Sequence, residues 1–295
     1  MVVAGNVMKV IAGSASELLA GRLAKVLGCT LIKPERRRFP DSETYLRIPE
    51  EVKGEHVIVV QSTSSPANDN LIELSLLLSA AKDLGAGRVT AVVPYFGYAR
   101  QDKRFKPGEA ISVRTVCKII ESAGADDLFT VDIHEDEVIK NFAIPAYNLS
   151  AMPLIGRYLA KLNLHAPVVL GADRGSLVRA RRAAAEISAT YDYLEKTRLT
   201  PTEVATKTKH LNVAARDIVI VDDIISTGGT VVEAAKILKK QKARKVYAAC
   251  THPVLVGKAL RRILAAGVKK VIATDTIEHK TSVISVAPLI AEAIR

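Results

Sequence analysis

The sequence has no tryptophan and few other aromatic residues, with five Phe and eight Tyr among 295 residues. It contains none of the aromatic and basic motifs with which a sheet binds RNA bases, so nucleic acid is not an expected partner. Cysteine is also scarce, and Cys29, Cys117 and Cys250 are odd in number and widely spaced. This pattern argues against a disulfide framework or a zinc cluster and predicts reduced thiols in a cytoplasmic protein.

Long apolar runs are missing as well. No window reaches the roughly 18 continuous apolar residues that a membrane span requires, so we expect no membrane segment. The N-terminal stretch MVVAGNVMKVIAG has no charged region ahead of an apolar core, which favours a first strand over a signal peptide. Because 48% of the residues are hydrophobic, the chain is expected to be globular.

Acidic residues are outnumbered by basic ones. The chain has 42 Lys and Arg against 31 Asp and Glu, which gives a formal net charge of +11. Such an excess favours polyanionic partners, which include nucleic acid, a membrane surface and small phosphorylated substrates. The charge alone does not choose among these three classes.

Apolar, β-branched segments alternate with helical patterns along nearly the whole chain. HVIVVQ, RVTAVVPYF and DIVIVDD are typical strands, and ISVRTVCKIIESAG is a typical helix. We also predict the strands DLFTVDIH (127–134) and TYDYLEK (190–196), and a first helix capped by Ser14 or Ser16. Continuous apolar strands between helices predict an α/β fold with mainly parallel sheets flanked by helices on both faces.

The length of the chain and a weak internal similarity predict two α/β domains. LGAGRVTAVVPYF and AAGVKKVIATDTI share a helix end, a glycine, a basic residue and an apolar strand. We place the boundary near 147–153, which gives an N-terminal domain of residues 1–149 and a C-terminal domain of residues 150–285. The last helix, 286–295, is expected to join the first domain.

One stretch, IVIVDDIISTGGTVVEAAKIL, combines an apolar strand, two carboxylates, a glycine-rich turn and a helix. In parallel sheets ligands gather at the carboxyl ends of strands, where Asp222 and Asp223 stand. Gly228 and Gly229 lack side chains, so backbone N–H groups and the helix N-terminus can approach a phosphate, while the carboxylates bind the hydroxyls of its sugar. The alternative is an ordinary turn with surface aspartates. The stretch is neither of the standard ATP or dinucleotide loops.

VDDIISTGGT closely resembles the phosphoribosyl diphosphate (PRPP) binding motif shared by type I phosphoribosyltransferases and ribose-phosphate pyrophosphokinases. Further stretches resemble the pyrophosphokinases alone: RRFPDSE, PYFGYARQDKR, VDIHEDEVIKNF, LGADRGSLVRARRAAAEI and YLEKTR. The chain is therefore similar, over nearly its whole length, to the ribose-phosphate pyrophosphokinase family. This resemblance implies two phosphoribosyltransferase-like domains and an enzyme that transfers the β,γ-diphosphoryl group of ATP to the C1 hydroxyl of ribose 5-phosphate, giving PRPP and AMP.

Two positions depart from the usual pattern of that family. Ser42 stands where glycine is frequent, so a left-handed backbone there would carry some strain. Ser176 also stands where glycine is usual. Neither change removes a group that the reaction uses. The chain is somewhat shorter than the common bacterial and animal members, so their allosteric control is not expected to carry over.

The resemblance places ATP in the first domain. Phe39 can stack on a purine whose amino group donates to Asp41 or Glu43, although composition alone favours an ordinary turn with a half-buried Phe. The loop YARQDKR can bind the base, ribose or phosphates, or it is a solvated basic loop. The ATP-binding residues that the resemblance implies are Phe39, Asp41, Ser42, Glu43, Arg100, Gln101, Asp102, Lys103 and His134.

The expected cofactor is Mg²⁺. Its preference for oxygen ligands makes His134 an unusual contact, and a lone histidine is more often a structural hydrogen-bonding group. The resemblance nevertheless implies His134 as a contact of metal and ATP, with Asp173 as the second metal ligand. Asp132 is a further candidate, because residues two apart in a strand point to the same face. These residues follow strands of different domains.

The resemblance assigns Lys196 and Arg198 to catalysis, as a clamp that meets the triphosphate while its bond breaks. They open a long, polar, Thr-rich segment that contains Pro201, and loops of this length are often lids; a solvated basic loop is the alternative. The residues expected to bind ribose 5-phosphate are Arg198, Asp222, Asp223, Ser226, Thr227, Gly228, Gly229 and Thr230.

Two other functions share part of this sequence. A type I phosphoribosyltransferase would use the PRPP motif but not FPDSE or YARQD. A catalytically silent regulatory homologue is disfavoured, because Lys196, Arg198, His134 and Asp173 are all present. The resemblance further implies a homo-oligomer, either a dimer or a hexamer of dimers.

Overall fold

The structure is a computed structural model that describes residues 8–198, 204–207 and 212–295; at 195–198 and 204–207 it describes the backbone alone. The chain divides into two compact units. The first unit ends at Leu149 and also takes in Thr276–Glu278 and Ser285–Arg295. The second unit comprises Ser150–Asp275 and His279–Ile284.

A six-stranded parallel sheet forms the centre of the first unit. The strands of this unit are β1 (Met8–Ala12), β2 (Thr30–Ile32), β3 (Glu35–Arg38), β4 (Thr44–Arg47), β5 (His56–Val60), β6 (Arg88–Val93), β7 (Asp127–Val131) and β8 (Ala146–Leu149). Its helices are α1 (Glu17–Leu27), α2 (Ala67–Asp83), α3 (Ser112–Ser122) and the C-terminal Ala287–Ile294. The sheet order is β2-β1-β5-β6-β7-β8, and β3 and β4 form a separate antiparallel hairpin.

The second unit repeats this plan. Its helices are α4 (Met152–Ala160), α5 (Leu177–Ala185), α6 (Gly229–Lys240) and α7 (Ala259–Ala265), which makes the C-terminal helix α8. Its strands are β9 (Val168–Gly171), β10 (Thr190–Tyr193), β11 (Glu195–Arg198), β12 (Val204–Lys207), β13 (Asp217–Ile224), β14 (Lys245–His252), β15 (Val268–Thr274) and β16 (Ser282–Ile284). The parallel sheet has the order β10-β9-β13-β14-β15-β16, and β11 and β12 pair as an antiparallel ribbon.

Both sheets have the same strand order. If the six strands of each sheet are numbered along the chain, that order is 2-1-3-4-5-6. The order reverses beside the first strand, between β1 and β5 in one unit and between β9 and β13 in the other. Ligands of open α/β sheets bind at such a switch point, outside the carboxyl ends of the strands. Each unit thus has one crevice of this kind.

The central strands are buried on both faces, as their continuous apolar sequences predict. Along β13, Ile218 and Ile220 pack in one apolar cluster, which includes residues of α6 and α7. Val219 and Val221 pack in another, which includes residues of α4 and α5. The alternation follows from the two-residue period of a strand. The predicted fold class, parallel sheets flanked by helices in two domains, is confirmed.

Two predicted strands are shorter in the structure. β7 ends at Val131, because Asp132 adopts a left-handed backbone with φ of 40° and its N–H donates to Leu149. The prediction of one strand over 190–196 was wrong. β10 ends at Tyr193, Leu194 is fully buried in the core, and β11 then begins the separate ribbon.

The start of the first helix also differs in detail from the prediction. Ser16 occupies the N-cap position of α1, but its side chain makes no capping hydrogen bond. Its hydroxyl accepts instead from the backbone N–H of Ser62, at 2.9 Å. Among the residues that the structure describes, no helix is long and apolar enough to cross a membrane.

Candidate active site

The glycine-rich turn lies between the end of β13 and the start of α6. Gly228 is the N-cap of α6 and has a left-handed backbone with φ of 76°. A Cβ atom at this position would lie 2.7 Å from Cδ1 of Ile263. Glycine is required here for both reasons. The first N–H groups of a helix have no partner inside the helix, so this turn presents donors and a positive dipole end to an anion.

Neighbouring segments hold the turn in place. The guanidinium of Arg262 donates to the carbonyl oxygen of Thr227 at 2.7 Å. The backbone N–H groups of Leu255 and Val256 donate to the carbonyls of Ile225 and Ser226 at 2.9 and 3.2 Å. The carbonyls on this side of the turn are thereby occupied, which leaves the helix N-terminus as the binding end.

Asp222 and Asp223 end the same strand and have different partners. Asp223 is buried, with its carboxylate 3.5 Å from the guanidinium of Arg179 on α5. The Oδ1 atom of Asp222 accepts from the Ser176 hydroxyl at 2.9 Å and from the N–H of Asp223 at 3.0 Å. Arg179 therefore compensates part of the negative charge at the end of β13.

The surroundings of Asp222 also make its carboxyl group a weaker acid. Burial raises the pKa of Asp222 from its ordinary value of 3.8 to about 7, and the charges of Asp223 and Asp173 act in the same direction. The hydrogen bond from Ser176 opposes them. A carboxyl group with this pKa marks a place where a cation or a hydrogen-bond donor would be stabilised.

Asp173 follows β9, the strand beside β13 at the switch point of the second unit. Its Oδ1 atom accepts from the backbone N–H and from the hydroxyl of Ser176, each at 3.1 Å. One serine hydroxyl thus contacts the carboxylates of Asp173 and Asp222. Sequence reasoning missed this role of Ser176 and the pairing of Arg179 with Asp223. The helical pattern SLVRARRAAAEI gave no sign of either, since both contacts arise from tertiary packing.

In the first unit, candidate residues follow two neighbouring strands. The loop after β6 carries Arg100 and Lys103, which are exposed, and Gln101 and Asp102, which are partly buried. The ammonium group of Lys103 lies 3.8 Å from the Asp102 carboxylate. The loop lies at the carboxyl end of the sheet, where cations can meet phosphates.

Asp132 and His134 come after β7, next to β6 in the sheet. Asp132 is buried and His134 is partly buried. The expectation that the two side chains share one face of a strand was wrong, because the strand ends at Val131 and the backbone of Asp132 is left-handed. Asn148 on β8 fixes this turn by accepting from the N–H of Ile133 at 2.9 Å.

The FPDSE loop is the tip of the β3–β4 hairpin. Asp41, Ser42 and Glu43 are exposed, and Phe39 is 40% exposed with its ring edge-on to Tyr45. The backbone of Ser42 is left-handed, with φ of 76°, so this serine has the strain that a glycine would avoid. An exposed ring beside two exposed carboxylates is available to a ligand, but the described residues at the tip do not enclose one.

The proposed clamp residues lie on β11. The backbone of Lys196 pairs with Thr206 and that of Arg198 pairs with Val204 in the antiparallel ribbon. The side chains of Lys196 and Arg198, and residues 199–203 and 208–211 of the proposed lid, lie outside the described residues. Their roles stay predictions.

The carboxylates of the second unit fit a magnesium ion by their chemistry. Mg²⁺ takes oxygen ligands, keeps several waters and is commonly bound by one or two carboxylates together with substrate phosphates. No group of three or more His, Cys, Asp or Glu side chains with metal-binding geometry occurs among the described residues. Asp173 matches the smaller requirement of magnesium. Burial is the main cause of the raised pKa of Asp222, and the charges of Asp223 and Asp173 add to it, so a cation beside Asp173 would neutralise part of the charge gathered here.

Two protein families match the chain. Residues 8–124 match the N-terminal domain of ribose phosphate pyrophosphokinase. Residues 143–288 match the phosphoribosyl transferase domain. Together the matched residues cover both units.

Similar proteins extend over almost the whole chain. Ribose-phosphate pyrophosphokinase of Methanothermobacter thermautotrophicus is 48% identical over 92% of this chain and 95% of its own. The protein of the same name from Methanosarcina acetivorans is 46% identical over 98% of this chain and 99% of its own. The crystal structure of phosphoribosylpyrophosphate synthetase from Mycobacterium smegmatis is similar with a TM-score of 0.87, at 32% identity and with 98% of each chain covered.

Proposed function

The chain belongs to the ribose-phosphate pyrophosphokinase family, and from this premise we propose how its residues carry out the reaction. The enzyme is a ribose-phosphate diphosphokinase, so the predicted activity is confirmed and the phosphoribosyltransferase alternative is not favoured. In the reaction the C1 hydroxyl oxygen of ribose 5-phosphate attacks the β-phosphorus of ATP. The bond from that phosphorus to the α-phosphate oxygen breaks, AMP leaves, and the hydroxyl proton is released.

Ribose 5-phosphate binds the second unit in this proposal. The observation that carries the assignment is the turn at Gly228, which combines an open helix N-terminus with the carboxylates of β13 at the switch point of the sheet. The 5-phosphate takes the N–H groups of the turn, and Asp222 accepts from the ribose hydroxyls. The residues proposed to bind this substrate are Arg198, Asp222, Asp223, Ser226, Thr227, Gly228, Gly229 and Thr230.

ATP binds the first unit, at the loops that follow β6 and β7 and at the hairpin tip. The exposed cations Arg100 and Lys103 meet the phosphates, and Phe39 with Asp41 and Glu43 takes the adenine. Ser42, Gln101, Asp102 and His134 complete the proposed ATP contacts.

Mg²⁺ is the proposed cofactor, with Asp173 and His134 as its protein contacts and Asp132 as a further candidate. When bound, the ion neutralises charge on the transferring diphosphoryl group. The chain's own residues position the reactants, since phosphoryl-type transfer depends mostly on orientation and electrostatic stabilisation. Replacing Asp173 or His134 should raise the Mg²⁺ requirement and lower turnover. An unchanged metal dependence in both variants would make these residues structural.

The first experiment separates this activity from PRPP consumption. Release of AMP from ATP is measured with and without ribose 5-phosphate, and strict dependence on the sugar phosphate is expected. AMP release that needs no ribose 5-phosphate, or PRPP consumption with a purine base, would contradict the proposed reaction.

The second experiment tests the sugar phosphate site. Asp222→Ala should raise the KM for ribose 5-phosphate by roughly tenfold or more, because a charged hydrogen-bond acceptor is lost, while the KM for ATP changes little. Asp192→Ala serves as a control in the same sheet, on β10, which β9 separates from β13. Unchanged ribose 5-phosphate kinetics in the Asp222 variant would exclude the assignment.

The third experiment tests the clamp. Lys196→Ala is expected to lower kcat by on the order of 100-fold, since removing one preorganised charge-stabilising donor has that effect in other enzymes. KM values and thermal stability should change much less. Near-normal turnover, or loss of activity only through unfolding, would show that Lys196 belongs to a solvated basic loop.

We also propose that the enzyme is a homo-oligomer and works in the cytoplasm. The first unit exposes Ile72 and Leu76 one turn apart on α2, with exposed fractions of 52% and 37%, which suits a subunit contact. The three thiols support the cytoplasmic location, because none is in a disulfide, and Cys117 and Cys250 are buried. Light scattering after gel filtration measures the assembly, and a monomeric mass would contradict it.

A further inference from the structure

The hydroxyl of Ser176 lies between two carboxylates to which we have given different tasks. It is 3.1 Å from Oδ1 of Asp173 and 2.9 Å from Oδ1 of Asp222. We propose that Ser176 is a positioning residue that links divalent-cation binding at Asp173 to ribose binding at Asp222. The inference rests on the roles proposed above for these two carboxylates.

The position of the hydroxyl is fixed by its surroundings. Ser176 is 2% exposed, and its backbone N–H also donates to Asp173, to the side chain and to the carbonyl oxygen, both at 3.1 Å. A Cβ atom on Gly171 would lie 2.8 Å from the carbonyl carbon of Ser176, so the end of β9 packs directly against this turn. The backbone of Ser176 is therefore held against the end of β9, which keeps its side chain within reach of both carboxylates.

A serine hydroxyl carries a single hydrogen, which limits what it can do for two acceptors. It can donate one full hydrogen bond, or share the hydrogen between both oxygens at a loss to each. Asp173 and Asp222 therefore compete for the same donor. The carboxylate with the larger negative charge density holds it more strongly, because hydrogen bonds to charged acceptors are the stronger ones.

A cation on Asp173 changes the outcome of that competition. Neutralising this carboxylate makes it a weaker acceptor, so the hydroxyl of Ser176 turns to Asp222 and fixes its orientation. Asp222 is then ready to accept from a ribose hydroxyl with its other oxygen atom. The cation thereby raises the affinity for ribose 5-phosphate, and by thermodynamic linkage the sugar phosphate raises the affinity for the cation by the same factor.

Titration calorimetry without ATP tests this linkage in the absence of turnover. Ribose 5-phosphate is titrated into the full-length protein with and without Mg²⁺. In the parent protein Mg²⁺ should increase the affinity for ribose 5-phosphate. Ser176→Ala should weaken ribose 5-phosphate binding with Mg²⁺ by about tenfold, the value of one hydrogen bond to a charged group, and should lose most of the increase that Mg²⁺ produces. In steady-state assays the same variant should change KM for ribose 5-phosphate more than kcat.

Three comparisons make the outcome decisive. Ser75→Ala removes a hydroxyl that donates to the Leu71 carbonyl inside α2, so it controls for serine loss as such and should bind like the parent. Ser176→Gly removes the hydroxyl too, and glycine is well tolerated at helix N-caps, so it serves if the alanine variant folds poorly. Asp222→Asn tests whether Asp222 binds ribose 5-phosphate at all.

Each result then has one meaning. If the affinity of the parent protein does not depend on Mg²⁺, or if both Ser176 variants keep the full Mg²⁺ effect, the linkage is wrong. If Ser176 variants lose only thermal stability, the residue is structural. If Asp222→Asn binds ribose 5-phosphate like the parent, the failure lies in the proposed substrate site and not in the role of Ser176.

Discussion

The two units share one strand order, but acidic residues stand at the switch point of one unit and uncharged residues at that of the other. In the second unit, at the reversal of the strand order, Asp173 follows the end of β9, and Asp222 and Asp223 lie near the end of β13, just before Ile224. In the first unit the corresponding strands, β1 and β5, are followed by Gly13 and Gln61. One crevice presents carboxylates to a ligand, and the other has a neutral glutamine side chain between its strand ends.

Gln61 lies between the ends of β1 and β5 in the first unit. It is fully buried, and its Oε1 atom accepts from the N–H of Ala15 at 3.0 Å. A Cβ atom on Gly13 would lie 2.2 Å from the same Oε1 atom, so side chain and backbone are in close contact. A carbonyl oxygen of the glutamine side chain thus takes the N–H donor that an anion would otherwise seek at this strand end.

The loops that follow β5 and β13 also differ in how open they are to an anion. In the first unit the Thr63 hydroxyl donates to Tyr95 at 3.2 Å and accepts from the N–H of Gly97 at 2.7 Å. Pro66, which has no N–H, precedes α2. In the second unit Gly228 precedes α6 and leaves its first turn open to an anion. The fold supplies the same frame twice, and the loops decide which crevice binds a substrate.

Gly228→Ala should have the largest effect on the second crevice. Alanine is strained at φ of 76°, and its Cβ atom would meet Ile263, so the free energy of unfolding should fall by about 2 kcal/mol. The turn would shift, and the affinity for ribose 5-phosphate should fall by well over tenfold. Thermal unfolding and calorimetry measure the two effects.

The neighbouring glycine is the matched stability control. A Cβ atom on Gly229 makes only ordinary contact, 3.8 Å from the Thr227 hydroxyl, and Gly229 is the first residue of α6. Gly229→Ala should therefore keep the melting temperature of the parent. An equal loss of stability in both variants would show that the conformation of Gly228 is not what holds the turn.

Asp222→Asn should stabilise the free enzyme while it weakens substrate binding. Because burial raises the pKa of Asp222 to about 7, the folded state binds its proton more tightly than the unfolded state does. The contribution of Asp222 to stability therefore falls as the pH rises from about 4 to about 7. Asparagine removes this loss, so the variant should be more stable than the parent above pH 7 by at most about 4 kcal/mol, the value that corresponds to a pKa raised from 3.8 to about 7.

Melting curves across this pH range provide the check. The difference between variant and parent should shrink towards zero below pH 4, where Asp222 is protonated in both states of the parent. Added Mg²⁺ should also reduce the difference, because the cation stabilises the charged carboxylate. A constant difference at all pH values would mean that the titration of Asp222 does not contribute.

The fold was predictable because its signals are local and repeated. Apolar runs such as HVIVV, which is buried at all five positions of β5, and helices such as α3, which buries Val113, Val116, Cys117 and Ile120, show their periodicity directly. The turn at Gly228 was predictable for the same reason, since strand, carboxylates, glycines and helix are adjacent in sequence. The hairpin of β3 and β4 was missed, because its strands are short, charged and only partly buried.

The contacts across the site were not predictable from the sequence. Ser176 meets Asp222 across 46 positions of the chain, and Arg179 meets Asp223 through the packing of α5 on the sheet. The end of β7 was placed too late, because nothing local marks Asp132 as left-handed. Aspartate tolerates that conformation, and its N–H donates to Leu149 on the neighbouring strand β8, a contact that the local sequence does not show.

Gln61→Ala tests whether the first crevice is structural. The variant removes the acceptor of the Ala15 N–H and leaves a cavity, so the free energy of unfolding should fall by about 1–2 kcal/mol. Affinity for ribose 5-phosphate should stay at the parental value. Weaker ribose 5-phosphate binding in a variant that is fully folded would show that the first crevice takes part in binding this substrate.

The smallest expected effects come from two serines, Ser62 in the loop after β5 and Ser226 in the loop after β13. The Ser62 hydroxyl donates to the carbonyl of Thr276 at 2.5 Å and accepts from the N–H of Tyr95 at 3.1 Å. Ser62→Ala leaves the Thr276 carbonyl and the Tyr95 N–H without this partner, and it should lower the free energy of unfolding by about 1 kcal/mol while ribose 5-phosphate affinity stays unchanged.

Ser226→Ala should change the affinity for ribose 5-phosphate and not the stability. It should weaken ribose 5-phosphate binding about threefold, the loss of one modest hydrogen bond to the phosphate, and leave the melting temperature unchanged. The two variants remove the same atom from the loops of the two crevices, so the comparison separates a hydroxyl that holds the fold from one that meets the phosphate. If both variants lose stability alone, the Ser226 hydroxyl does not contact the phosphate. If both variants weaken ribose 5-phosphate binding without a loss of stability, the first crevice also takes part in binding this substrate.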